Sequence, residues 1–487
     1  MTDNTIILQK LFLKNEENVY LQTMDSSFTF YEFFSIINQI GTLLKNQHPE
    51  RSLALISCKR PLHFIVSYFS CLIAGMVPVV CSGLLKSEEI HRLLIGKRLF
   101  LCDYPVTEIY GVSCIPYEKM PQLMLHYFPN GNNESVSDYN ISVLIPTSGT
   151  FGKAKLVGLS VENIISNVEA IKSKLNLTSL DSTIAALPLH YSFAHTTQMW
   201  LQLYLSAKLV LTEGYFVPKL FYSLIEKSQP RTTGFIANHI HMLTTAGATL
   251  NPTAESLRTI VIAGGSTSAT QMEKLQTLFP HTTILQGYGL TEASPRVSME
   301  TQGETIRFVN GIRSSGKPLP GVSVCIFKDD ESSYSNSQSI LLEEGIIGVK
   351  GPNLMVGYYN DPEETSKAIK NGWLFTNDIG FLDQDGYLYV RGRKNSMFVH
   401  KGYKIYPEEI ESYVLEDNRI MNCLIQFKQT EQNFAYLMTI ESDYTIEKLD
   451  IWKRLNKTLP YWKIPDEIIV GKVPVSANGK KVRKEAD

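Results

Sequence analysis

Short apolar runs that end in glycine turns set the fold class of this chain. TIVIAGG (259–265) and TTILQGYG (282–289) each read as a buried strand closed by glycine. Helix-like segments alternate with such runs through the first half. One of them, SVENIISNVEAIKSKL, offers Ser160 as its N-cap, with Ile164, Val168, Ile171 and Leu175 on one face. Strands alternating with helices predict α/β layers. From about Gly311 the texture shifts to short strands and turns, with Asp385-Gly386 as a hairpin turn. Within that region DPEETSKAIKNGW predicts a short helix, capped by Asp361, opened by Pro362 and stopped at Asn371-Gly372. Beyond Arg393, YPEEIESYVLED repeats the proline-plus-acids helix start, and NCLIQF and AYLMTI read as strands. The last hundred or so residues therefore predict a small α+β unit.

Composition narrows the class further. A chain of 487 residues has room for roughly two to four domains. Its net charge of −2 supplies no global field to recruit nucleic acid or an acidic membrane; the basic end at Lys480, Lys481, Arg483 and Lys484 is a local exception. Seven scattered cysteines without a CxxC pair argue against a disulfide framework or a zinc site and for a reducing compartment. The stretch from Phe64 to Gly83 is long enough to span a bilayer, but Gly75 and Pro78 split it, which predicts a buried helix followed by a buried strand. The N-terminus mixes acids and bases unlike a signal peptide, DDESSYSNSQS (329–339) reads as a polar surface loop, and the expected location is the cytoplasm.

Four stretches carry chemistry. PTSGTFGKAKLV (146–157) packs glycines, hydroxyls and lysines between apolar runs, which suits an anion: glycines turn backbone amides towards it, hydroxyls donate and lysines add charge. It is not a Walker loop, because Thr147 and Ala154 stand where glycine and Ser/Thr are required. A flexible turn between strands fits the same composition. In QGYGLTEAS (286–294), an acid beside a threonine just past a glycine turn can hold Mg²⁺, or the segment is an ordinary strand end. In GWLFTNDIG, Asp378 can accept both hydroxyls of a ribose, or merely cap a turn. PVSANGKKVRK ends the chain as a charged arm or a solvated tail.

In this order and spacing the motifs resemble the adenylate-forming superfamily: acyl- and aryl-CoA ligases, nonribosomal-peptide adenylation domains and luciferases. The resemblance spans nearly the entire chain. The opening loop is similar to the family's TSGTTGKPKG, GYGLTE to YGxTE, and GWLFTNDIG to GWxxTGD. GRKNSMFVHKGYKIYPEEIE is similar to the hinge and the loop after it, NGKK to the C-terminal lysine motif, and GKPLPGVSVCI and GVKGPNLMVGYYNDPEET to connecting segments. The family fold implied is a large N-terminal core of layered α/β subdomains plus a β-rich subdomain (1–392), a hinge (393–396) and a small mobile α+β domain (397–487).

The resemblance also implies a reaction and its residues. A carboxylate attacks the α-phosphate of ATP, releasing pyrophosphate and giving an acyl-AMP; a pantetheine thiol of CoA or a carrier protein then takes the acyl group. Thr147, Ser148, Gly149, Thr150, Gly152 and Lys153 or Lys155 would hold the phosphates, with Mg²⁺ near Glu292. Gly264, Gly265, Gly287, Tyr288, Gly289 and Thr291 would border the nucleotide and acid, and Asp378 and Arg393 the ribose. Lys480 would bridge the two anions; the C-terminal domain would then turn about Asn395 to bring the Gly402 loop to the site. Phe151, Ala154, Leu156, Asn395, Ser396 and Val399 depart from the usual pattern, which touches the phosphate lid and the thioester step.

The substrate pocket implied by the resemblance contains Tyr191, Ser192, His195, Asn238, His239 and Gly264. The first of its stretches, LPLHYSFAHTTQ (187–198), lacks the aspartate that pairs with an amino acid's ammonium group. A small aryl or short-to-medium acyl acid is therefore expected, with amino-acid loading of a carrier protein, a non-catalytic adenylate binder or a luciferase-type oxygenase as alternatives. His239 and His241 read as alternating residues on a strand, without a third ligand for a metal. Arg296 meets either the substrate or a surface acid.

Overall fold

A computed structural model describes residues 3–47, 52–83, 99–104, 124–127, 140–147, 155–214, 216–250, 254–264, 267, 269–309, 311–328, 342–417, 419–429, 434–474 and 481. Two large sheets dominate them. In the nine-stranded sheet, Val19–Gln22, Leu209–Leu211, Thr183–Ala185, Thr232–Phe235, Thr259–Ile262 and Thr283–Gly289 run parallel as consecutive neighbours, and antiparallel strands finish both edges. In the seven-stranded sheet Leu53–Cys58 lies between Val77–Ser82, the central strand, and Leu99–Cys102, parallel to both.

Side-chain alternation sorts each strand into two cores. Leu209 and Leu211 join the largest apolar cluster while Val210 faces a second; Ala54 and Ile56 join the first while Leu53 and Leu55 face a third. The helices Phe30–Gln47, Pro61–Ala74 and Val161–Leu175 contribute to that shared cluster, so one helical layer serves both sheets. The Pro61–Ala74 helix is buried from His63 to Ala74, turns at Gly75 in the left-handed region (φ 79°), and feeds the buried strand Val77–Ser82. The apolar stretch is thus the expected helix and strand, and no described helix is long and apolar enough to cross a membrane.

A five-stranded antiparallel sheet follows, built on Ser323–Phe327, Gly345–Lys350, Trp373–Leu382 and Leu388–Arg393. Asp361 accepts the Glu364 amide at the start of the Pro362–Ala368 helix, as expected. The stop differs. The helix ends at Ala368, and Asn371-Gly372 instead forms a two-residue hairpin turn, both residues at positive φ, between Ile369–Lys370 and Trp373–Leu382. An Asn-Gly pair satisfies either role; the pairing of Lys370 with Trp373 decides it.

Past Arg393, the hairpin Phe398–His400/Tyr403–Ile405, the helices Pro407–Val414 and Lys448–Thr458, and a three-stranded sheet enclose their own cluster, including Ile410, Cys423, Met438 and Leu455. The loop 329–339 lies outside the described residues.

The Val161–Leu175 helix matters most for the site. Ser160 and Asn163 form a reciprocal cap, and the face carrying Ile164, Val168 and Ile171 is buried. Asn163 then donates to the Pro352 carbonyl (2.8 Å) and Asn167 to the Arg296 carbonyl (2.7 Å). Ser160→Ala should lower the urea midpoint at unchanged slope by an amount equivalent to ~1 kcal/mol.

Candidate active site

Asp378 lies on the Trp373–Leu382 strand, directly across the ladder from Arg393. Only 4% exposed, its carboxylate receives the Tyr288 hydroxyl at 2.6 Å on one oxygen and the Arg393 Nε at 3.0 Å on the other. Burial, reinforced by the Asp378 charge, pushes the Tyr288 phenol well above its usual range, while Asp378 raises Arg393. Tyr288 therefore stays a neutral donor. A carboxylate has about four lone-pair sites, so these two bonds do not by themselves exhaust it.

Glu292 sits on the short turn Thr291–Ala293. Tyr358 donates its hydroxyl to Glu292 Oε1 (3.0 Å), and the Met355 amide donates to the Glu292 carbonyl (2.8 Å). Beside it, the Thr291 and Ser192 hydroxyls are 3.0 Å apart, which joins the 187–198 stretch to this turn. The charges form one neighbourhood: Arg393 responds to Asp378, Tyr288 and Glu292, and Tyr358 to Glu292, Glu364 and Arg393. Carboxylate and hydroxyl oxygens are the hard donors that Mg²⁺ takes, so Glu292 and its surroundings fit that ion, with phosphate oxygens and water to complete the set.

The glycine-rich loop is anchored between antiparallel strands, Val143–Pro146 and Leu156–Leu159. At its base the Thr147 amide donates to the Lys155 carbonyl at 2.9 Å, with the Thr147 hydroxyl 3.4 Å from the same oxygen. Lys155 ion-pairs with Glu364 at 2.5 Å and lies 4.8 Å from the Tyr358 ring centroid. Ser148, Gly149, Thr150, Phe151, Gly152, Lys153 and Ala154 lie outside the described residues, as do Gly265 and Lys480. Lys481, adjacent to the latter, bonds Glu411 at 2.8 Å.

Other expected residues separate. Gly264 takes φ 84° at the strand end. Gly287 and Gly289 have packing reasons to be glycine: an added Cβ would stand 2.4 Å from Arg296 Nη1 and 1.9 Å from the Pro295 carbonyl oxygen, respectively. Tyr191 precedes the Ser192–Ala194 turn and meets His190 edge-on. His195 is fully buried edge-on to Tyr68, its imidazole held down to about 3 by burial, so it faces packed side chains rather than an open pocket. Asn238 is exposed, and His239 stacks on Phe216 at 4.3 Å. His239 and His241 occupy the Ala237–Leu250 helix, not a strand. Two residues apart on a helix point about 200° apart around its axis, so the HxH spacing presents no common face.

Asn395 lies in the short turn Lys394–Ser396, where Ser396 donates to Glu408 (2.9 Å); Gly402 forms the exposed hairpin tip at φ 84° with open space where a Cβ would be. Sequence reasoning did not single out Tyr358 or Glu364 for the site, although both lie in matched motifs. Nothing local marks Tyr358: its partner Glu292 is 66 residues away.

Ion pairing with Lys155 and then Lys367 holds the half-buried Glu364 carboxyl down to about 2. A lowered value means the pair's contribution is present above the ordinary glutamate range and is lost as pH falls towards about 2. A carboxyl-carbon NMR titration should find Glu364 titrating below exposed glutamates, and Lys155→Met should move it upwards part of the way.

The model of the AMP-binding enzyme family matches residues 12–359. The long-chain-fatty-acid–CoA ligase of Bacillus subtilis is 29% identical over 386 residues, 76% of this chain but 64% of that protein, so the match spans under two thirds of its length. The 2-succinylbenzoate–CoA ligase of the same organism is 25% identical over 488 residues, covering 96% of this chain and 94% of the relative. Among solved structures, B. subtilis o-succinylbenzoate CoA synthetase with AMP superposes with a TM-score of 0.84 at 22% identity, over 99% of this chain and 97% of that one. The same synthetase solved with ATP and magnesium ion gives 0.80 at 20% identity, over 99% and 98%. These likenesses establish the adenylate-forming fold.

Proposed function

The chain belongs to the AMP-binding enzyme family, the group of AMP-forming acid–thiol ligases to which its relatives belong, and on that premise we propose that it activates a carboxylic acid with ATP and passes the acyl group to CoA. The observation that carries this reading is the single charged neighbourhood of Asp378, Tyr288, Arg393 and Glu292 beside the anchored glycine-rich loop.

In the first half-reaction, a carboxylate oxygen of the acid bonds the α-phosphorus of ATP, the bond to the pyrophosphate oxygen breaks, and pyrophosphate leaves. Asp378 accepts the ribose hydroxyls, with Tyr288 and Arg393 fixing its two oxygens. Thr147 and the loop amides receive the β- and γ-phosphates, helped by Lys153. Glu292 would hold magnesium, which would offset the charge of the phosphates. Lys480 bridges the two reacting anions. In the second half-reaction, residues 397–487 turn about Asn395, bringing the Gly402 hairpin to the site. The thiol sulfur then bonds the acyl carbon, the mixed anhydride's C–O bond breaks, and AMP departs while the thiol proton passes to solvent.

CoA is the acceptor in this proposal because the two relatives described above are CoA ligases. Small aryl and short-to-medium acyl acids are the substrate class, since Tyr191, Ser192 and Gly264 give the pocket no acidic partner for an ammonium group. The six described cysteines are all buried, in keeping with a reducing cytoplasm.

Pyrophosphate release should depend on ATP, Mg²⁺ and an acid from that class, and CoA should yield the thioester; a holo-carrier protein replacing CoA as the better acceptor would change the second half. No release with any acid would overturn the reading. Asp378→Asn should raise the KM for ATP about 10- to 100-fold, the loss expected of hydrogen bonds to a charged group. Lys480→Ala should slow adenylation far more than thioester formation from supplied acyl-AMP; equal losses would contradict its assigned role.

A further inference from the structure

Arg296 opens the Arg296–Met299 strand, four residues past Glu292, and is 2% exposed. Such a burial rules out the surface acid that its sequence position allowed. Its guanidinium lies 4.7 Å from the Phe193 ring centroid and presses against Gly287, where even a Cβ would be too close. Among the described residues no carboxylate pairs with it, no acceptor bonds its side chain, and Nε is buried without a partner. Desolvation alone lowers it, to about 10, so it remains a cation at neutral pH.

The chain treats another buried arginine differently. Arg313, 8% exposed at its side chain, is neutralised by Glu300 through two bonds of 2.9 and 2.7 Å. Arg296 has no such counterpart, yet its backbone is rigidly held: Asn167 and Asn353 both donate to its carbonyl, at 2.7 and 3.3 Å. A buried cation fixed in place without an anion is costly unless something else brings the charge.

A second unpartnered group lies beside the same ring. Gln198 is 2% exposed, and both its amide nitrogen and oxygen lack partners. A Cβ at Gly234 would sit 2.9 Å from Phe193 Cζ and 3.1 Å from Gln198 Nε2. Gly234 aligns with Val261 and Val261 with Leu285, so Gly287, two residues on, shares their face. Phe193, Gln198 and Arg296 thus cover one face of three adjacent parallel strands. Ser192, next to Phe193, contacts Thr291 beside Glu292, so this patch adjoins the candidate reaction centre.

We propose that Arg296 selects an acid bearing a second anion, a dicarboxylic acid, whose distal carboxylate pairs with the guanidinium while Gln198 hydrogen-bonds the substrate alongside it. This rests on the ligase reading and refines it: the two unpartnered groups, both beside the Phe193 ring over a glycine floor, form the specificity end of the acid pocket. The acid would reach Arg296 with one carboxylate and leave the other for adenylation.

The test compares pyrophosphate release for dicarboxylic acids, from malonic to adipic and phthalic, with that for their monomethyl esters. The wild-type enzyme should favour at least one diacid over its half-ester by ~100-fold in kcat/KM, chiefly through KM, as expected for a desolvated charge pair. In Arg296→Met the ratio should fall to about 1, and in Arg296→Lys it should recover in part. Independently of turnover, the preferred diacid should raise the melting temperature of the wild type and not of Arg296→Met. Equal use of diacids and half-esters by the wild type, or an equal fall for both in Arg296→Met, would overturn the proposal and leave the ligase reading standing. No release with any acid would instead remove the ligase reading and this inference with it.

Discussion

At the end of the Thr283–Gly289 strand the chain runs so close to its neighbours that side chains are excluded at two alternate positions. Gly289 packs on the Pro295 carbonyl, which also accepts the Leu290 amide at 2.8 Å, and Gly287 packs on the Arg296 guanidinium. Everything chemical hangs from this tight turn. Tyr288, between the two glycines, projects from the opposite side of the strand onto Asp378. The four residues closed off by the Leu290–Pro295 bond include Glu292, whose carbonyl is pinned by Met355 and whose carboxylate is met by Tyr358. A side chain at either glycine would separate the strand from the turn and displace both acids relative to one another.

Around that turn, charge is balanced unevenly. Asp378 is matched by Arg393, and Lys155 by Glu364, but these pairs differ in burial. Asp378 is nearly inaccessible, so its carboxylate sits where attraction is strong, although the Arg393 side chain remains 56% exposed. The Lys155–Glu364 pair is about one third exposed on each side and gains correspondingly less from pairing. The contrast suits division of labour: the buried Asp378 carboxylate is preset as a rigid acceptor, while the Lys155–Glu364 pair sits partly exposed at the root of the loop.

The parts legible in the sequence were those whose signals are local. Ser160 and its capping partner are three residues apart, the glycine-ended strands carry their own punctuation, and Asp361 caps a helix three residues on. The pairings that make a site are not local. Tyr288 and Asp378 are separated by 90 residues, and Asn167 and Arg296 by 129. Only motif order linked the first pair, and nothing in the sequence linked the second. The misread features share a cause as well. Asn371-Gly372 and the His239/His241 spacing each fit two backbones, and long-range packing chose between them: the hairpin register in one case, the buried Ile240 and Leu243 of a helix in the other. His195 looked like a pocket residue because a polar side chain in a pocket motif invites that reading; its backbone turn instead points it into the apolar layer against Tyr68.

The anchored loop also explains why the sequence departs from a Walker motif. A Walker loop runs from a strand into a helix, whose N-terminus contributes about half a positive charge to the bound phosphate. Here the flanking segments pair with each other as antiparallel strands, with Pro146 opposite Leu156, so among the described residues the loop leads into a strand rather than a helix. The lysine-serine pair that a Walker loop places at the start of its helix therefore has no structural counterpart, and Lys153-Ala154 is free of that constraint. The cost is that positive charge must come from side chains rather than from a macrodipole. At the base of the loop the charge of Lys155 is already matched by Glu364.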